Sequence, residues 1–86
     1  MRLSENPATA IQKHEPLAVD VTCTDDALHV TLADGREISA PLVWFSRLLK
    51  ATPEQRADWR LLGGGVGIHW EAVDEDISVE SLLRFK

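Results

Sequence analysis

An 86-residue chain is sized for one domain, so it must build its core from a single set of elements. Its formal charge of −5 disfavours a nucleic-acid surface, which needs clustered Lys and Arg to displace phosphate counterions, and Arg36, Arg47, Lys50, Arg56 and Arg60 are scattered. The single cysteine, Cys23, allows no internal disulfide, and no run approaches the roughly 20 apolar residues of a membrane span.

Met1 to Pro16 is polar and mixed, with Pro7 and Pro16, and reads as a flexible tail with a helical turn near Ala8–His14. It contains no apolar run resembling a signal peptide. With the lone thiol, that gives a cytoplasmic expectation. The domain proper is expected over residues 17–86.

Two alternating runs follow. Leu17, Val19, Val21 and Cys23 are separated by polar positions, and Leu28, Val30 and Leu32 repeat the pattern. This period of two predicts strands with one buried face. A two-residue turn at Asp25-Asp26 would pair Cys23 with Leu28, Val21 with Val30 and Val19 with Leu32, all apolar. For the next hairpin, a two-residue turn at Asp34-Gly35 would mix the faces. A three-residue loop, Ala33-Asp34-Gly35, pairs Val30 with Ile38 and Leu28 with Ala40. It predicts a left-handed Gly35 closing a type I turn and bulge.

Pro41 ends the third strand because it cannot donate to a ladder. Leu42, Phe45 and Leu49 recur at helical spacing, predicting a short helix from Leu42 to Lys50. Thr52-Pro53-Glu54-Gln55 is a helix start: Thr52 caps, Pro53 fits the first position and Gln55 completes a capping box. This helix is expected to reach about Arg60 with Trp59 turned inward. Gly63-Gly64-Gly65 breaks it, and Val66, Ile68 and Trp70 predict a fourth strand. Asp74-Glu75-Asp76 reads as a turn or loop. Ser78 can cap a last helix, with Ile77 and Leu82 spaced as a hydrophobic staple. The sum is an α+β fold: a small antiparallel sheet of three to four strands, meander first, with two to three short helices on one face.

Catalytic chemistry finds little support in these residues. Gly63 to Gly67 could suggest a phosphate loop, but a helix precedes it and a strand follows, the reverse of what a phosphate cradle needs. His69 with Asp74, Glu75 and Asp76 could suggest a metal site. The acidic residues are adjacent in a loop, however, and no second histidine lies near. His14 falls in the tail and His29 on the outer strand face. Cys23 sits on a buried strand face, where a thiol acts as a small hydrophobe. Ser46, Ser78 and Ser81 have no histidine base beside them. Glu54 and Asp58, at i and i+4, form a solvated helix face. No catalytic residue, cofactor or metal is therefore expected.

For Trp44 and Trp59 the core reading is favoured in so small a domain; an outward Trp44 would instead be an interface anchor. Arg47 is expected to face solvent or a carboxylate. The edge strands of an open sheet expose unpaired backbone groups, which strand addition or homodimerisation would satisfy.

Four ordered blocks carry a family resemblance. They are D-G-R-E-I, A-P-L-x-W-F-x-R-L (Ala40 to Leu48), A-T-P-E-Q-R-x-x-W-R-L-L-G-G-G-x-G-I-H-W (Ala51 to Trp70) and D-E-D-I-S-V-E-S-L-L (Asp74 to Leu83). Together, over Leu17 to Leu83, the chain resembles the bacterial domain-of-unknown-function family twenty-four forty-two. It departs from that pattern at Ser46 and Glu71, where proline is common. The resemblance implies a small α+β domain with no established enzyme activity, often encoded beside a second small protein in toxin–antitoxin-like cassettes. The leading expectation is thus a non-catalytic, antitoxin-like interaction module binding a small partner protein, such as a basic toxin, through Trp44, Phe45, Arg47, Arg60 and His69. The alternatives are a nucleic-acid-associated regulatory accessory domain, and a small-ligand binder or enzyme using His69, Arg60 and the acidic loop.

Overall fold

The computed structural model describes residues 16–84. The tail expectation and the helical turn at Ala8–His14 lie outside the described residues, apart from Pro16. Among the described residues, six strands form two three-stranded antiparallel sheets, ordered β1-β2-β3 and β4-β5-β6. The first holds β1 (Ala18–Cys23), β2 (Ala27–Leu32) and β3 (Glu37–Pro41). A 3-10 turn (Leu42–Trp44), α1 (Ser46–Leu49) and α2 (Pro53–Ala57) lead to β4 (Trp59–Leu62), β5 (Gly67–Trp70) and β6 (Glu75–Ser78). The described chain ends in α3 (Val79–Arg84).

The leading meander follows the hydrophobic alternation. Val21 pairs with Val30 and Cys23 with Leu28. Val30 pairs with Ile38 and Leu28 with Ala40, and Gly35 is left-handed at φ 95°. One strand end differs. The register shifts between Ala18 and Asp20, so Ala18, not Val19, faces Leu32. The bulge turns Val19 outward to 53% exposure and buries Ala18, whose N–H donates to the Gly65 carbonyl at 2.8 Å. Strict alternation placed Val19 inward, but one inserted residue reverses the phase of every residue before it.

The second sheet holds more strand than the sequence pattern suggests. Trp59 opens β4 instead of closing a helix, and Glu75 and Asp76 lie in β6 rather than in a loop. Both are strands of four residues without clean alternation, Leu62 exposed in β4 and Glu75 half-buried in phase with Ile77 in β6, which hides them from a hydrophobicity reading. The span read as one helix, Leu42 to Lys50, is a 3-10 turn and a separate α1, broken at Phe45 (φ −123°, ψ 87°). The capping box forms as expected: Gln55 N–H donates to Thr52 Oγ1 at 3.1 Å and Thr52 N–H to Gln55 Oε1 at 2.9 Å. Ser78 Oγ accepts from Ser81 N–H at 3.1 Å, capping α3.

The inward faces meet in one core. Leu28, Val30 and Leu32 of the first sheet, Ile68, Trp70 and Ile77 of the second, and Leu42, Leu48, Val79 and Leu82 of the helical segments are all buried. Trp59, Phe45 and Leu83 pack partly buried against it.

Candidate functional site

Cross-strand pairing places Arg60 beside His69 and His69 beside Asp76, so the solvent face of the second sheet carries one polar row over three strands. His69 is held on both sides. Its Nδ1 contacts Asp76 Oδ1, and its Nε2 lies 2.9 Å from Glu71 Oε1. The same Glu71 oxygen accepts from Arg60 Nη2 at 3.2 Å. An imidazole can donate from both nitrogens only as the cation, so hydrogen bonds to Asp76, then to Glu71, raise the His69 pKa above its ordinary value. Both lone-pair positions are engaged, which leaves the ring poorly placed as a base or a metal ligand. Among the described residues, no group of three or more His, Cys, Asp or Glu side chains is arranged to hold a metal ion.

Arg47 is tied to the far end of the same turn. Arg47 faces solvent, as expected, and its Nη1 donates to the Asp74 carbonyl at 2.7 Å, a backbone oxygen and not a carboxylate. Asp74 presents that oxygen from a left-handed conformation, φ 54°. The turn from Glu71 to Asp74 therefore joins three of the expected site residues: Arg60 and His69 at one end, Arg47 at the other.

Trp44 is half-exposed at 50%, which overturns the core reading for this residue, whereas Trp59 is partly buried as expected. Neighbouring Val43 is 65% exposed and Leu49 is 40% exposed. The run Leu42-Val43-Trp44-Phe45 explains the outcome. A single helical turn cannot aim four successive apolar side chains at one core, so Leu42 is buried, Phe45 is half-buried and the middle pair faces outward. That run was the available signal for Val43, which the sequence reading did not single out.

Arg56 was also missed, and no sequence pattern marks it. It is 7% exposed. Nε donates to the Leu48 carbonyl and Nη2 to the Leu49 carbonyl, each at 2.9 Å, while Nη1 meets Asp25 Oδ1 at 2.7 Å. Two carbonyls at the C-terminus of α1 are thereby satisfied by a charged side chain.

Beside Arg56 lies a cleft of about 440 Å³. One wall is the end of β1 with the turn that follows it, Val21 to Asp25; the other is Pro53, Arg56, Ala57 and Trp59. Burial raises the Cys23 thiol pKa in this wall, opposed by the Arg56 charge, so the thiol stays protonated and weakly reactive.

The family model described as "Protein of unknown function (DUF2442)" matches residues 18–86. Two solved structures share the fold. A crystal structure of a protein of unknown function from Rhodospirillum rubrum is 29% identical, covering 81% of this chain and 87% of that one, with a TM-score of 0.69. A solution structure of an uncharacterized protein from Chromobacterium violaceum is 25% identical, covering 87% of this chain and 71% of that one, also with a TM-score of 0.69. No curated protein matches the chain. Among the described residues, no helix is long and apolar enough to cross a membrane.

Proposed function

The chain belongs to the DUF2442 family of proteins of unknown function, and we propose that it is a non-catalytic, antitoxin-like module that masks a small partner protein. One observation carries this reading: the adjacent apolar residues Val43 and Trp44 stand 65% and 50% exposed, outside a core that buries Trp70 completely. Exposed tryptophan is costly to leave wet and is enriched at the energetic centres of interfaces. Arg47, Arg60 and His69 supply a polar margin through the Glu71–Asp74 turn, and an apolar centre with a polar rim is how interfaces are composed.

The charge of −5 favours a basic partner, with an attraction that weakens in salt. It weighs against a phosphate-contacting surface and so against the nucleic-acid reading. The engaged ring of His69 weighs against the enzymatic one. A reducing cytoplasm is the proposed compartment, since Cys23 is a free thiol.

The test is coexpression with the product of the adjacent gene. The two proteins should copurify, and the neighbour alone should arrest growth. Trp44→Ala should weaken capture about tenfold or more, as for an interface anchor. A neighbour that neither binds nor is toxic alone refutes the proposal.

A further inference from the structure

We infer that the cleft between β1 and α2 receives an extended, basic segment of the partner protein as a strand added beside β1. This rests on the protein-binding role proposed above and names the contact and the chemistry of the partner.

Backbone geometry identifies the open stretch. Thr24 N–H donates to the Ala27 carbonyl at 2.9 Å, so that pair is a hydrogen-bonded one. Bonded and non-bonded pairs alternate along an antiparallel ladder, so Val21 and Cys23, opposite Val30 and Leu28, direct N–H and C=O away from β2. Among the described residues, no backbone group bonds to them across that edge. Earlier in β1 the same edge is closed, because Ala18 N–H is taken by Gly65. The open stretch thus coincides with the part of β1 that walls the cleft. A strand added there would lie about 4.8 Å from β1. Trp59 on the far wall would cover its alternate side chains.

Charge selects the occupant. Asp25 lines the cleft with its side chain 91% exposed, and Asp26, Glu54 and Asp58 are exposed neighbours of the lining residues in sequence. Among the described residues the one cation in the wall is Arg56, which is buried and has its donors on Leu48, Leu49 and Asp25, while Arg60, exposed beside Trp59 in sequence, is paired with Glu71. The rim therefore presents net negative charge, which draws Lys and Arg and repels acidic chains. Strand addition supplies affinity through the main chain, and the rim supplies selection.

The test titrates a blocked peptide of about eight alternating Lys and Val residues into the isotope-labelled full chain, with a Glu-Val peptide as control. Saturable binding should shift the Val21 and Cys23 amides and the Trp59 indole, and slow exchange of both amides. The Glu-Val peptide should bind at least about tenfold more weakly, and high salt should erase most of the difference. Cys23→Pro removes one outward N–H without touching the β2 ladder. Ala57→Lys crowds the cleft and weakens its negative charge. Either should lower Lys-Val affinity about tenfold. Shifts confined to Trp44, equal binding of the two peptides, or no saturation overturns the inference. So does a doubled solution mass abolished by Cys23→Pro, which would make a second copy the occupant. If both variants capture the neighbouring gene's product normally while Trp44→Ala does not, the protein-binding role stands and the cleft assignment falls.

Discussion

The indole N–H of Trp70 donates to the backbone carbonyl of Arg56 at 3.0 Å, while the Arg56 side chain reaches the other way to the carbonyls of Leu48 and Leu49. Trp70 is fully buried in the second sheet, and Leu48 is fully buried in α1. One residue thus ties the second sheet, α2 and α1 together, and Asp25 adds the turn after β1.

Arg56→Ala should therefore be the most damaging single truncation of a polar side chain. It leaves Leu48 and Leu49 carbonyls without their side-chain donors, at a cost of about 3 kcal/mol by comparison with other buried charged hydrogen bonds. Arg56→Lys should recover little, because one ammonium cannot donate in three fixed directions. Asp25→Asn should cost less than about 1 kcal/mol, since that partner is exposed. Urea unfolding of the three variants gives the order directly. A fully stable Arg56→Lys protein would remove the tie from the account.

Two glycines with positive φ should behave differently. At Gly35 a Cβ meets nothing within 4 Å, so Gly35→Ala pays only backbone strain, about 1–2 kcal/mol, and Gly35→Val somewhat more. At Gly65, φ 120°, a Cβ would stand 2.5 Å from the Ala18 carbonyl oxygen. Gly65→Ala must push β1 away and lose the Ala18 N–H bond to Gly65, so its melting temperature should fall clearly further. Equal losses at the two sites would contradict the close approach.

The first sheet was legible because turn length and burial pattern agree only in one register, as Val30 opposite Ile38 shows. Turn chemistry was equally plain at Thr52 and Ser78, where a side-chain oxygen must meet a nearby N–H. What escaped were features decided by long-range packing. Val19 turns outward because Gly65 admits Ala18, and Glu75 and Asp76 become strand because His69 lies opposite Asp76. Of the expected site residues, Arg60 and His69 could be paired only once β4 existed. Arg56 looks like any helical arginine until the C-terminal carbonyls of α1 meet it.

His69 makes stability depend on pH. Its folded pKa is raised above the unfolded value of about 6.5 by Asp76 and Glu71, so the contribution is complete below that value. It is lost as pH rises through the higher folded pKa. Melting temperature should therefore decline as pH rises above about 6.5, and His69→Gln or Asp76→Asn should flatten the decline. Asp34 works in the opposite sense: the Arg36 backbone N–H lowers its pKa, so its contribution disappears only in acid. The two windows do not overlap, and thermal melts at fixed ionic strength separate them. A His69→Gln protein with the wild-type decline at rising pH would show that the ring is not a cation in the fold.

Trp44 separates folding from binding. With half its surface already wet, Trp44→Ala should change unfolding free energy much less than the 3–5 kcal/mol lost when a core tryptophan is truncated. Trp70→Ala, by contrast, empties a fully buried site and abandons the Arg56 carbonyl, so it should approach or exceed that range. If Trp44 serves recognition, its variant should keep the wild-type melting temperature to within a few degrees yet lose the partner. Val43→Ser should follow it more weakly, being smaller and adjacent. Thermal melts and partner capture measured on the same preparations decide the matter. Loss of stability in step with loss of capture would move Trp44 from the interface back into the core.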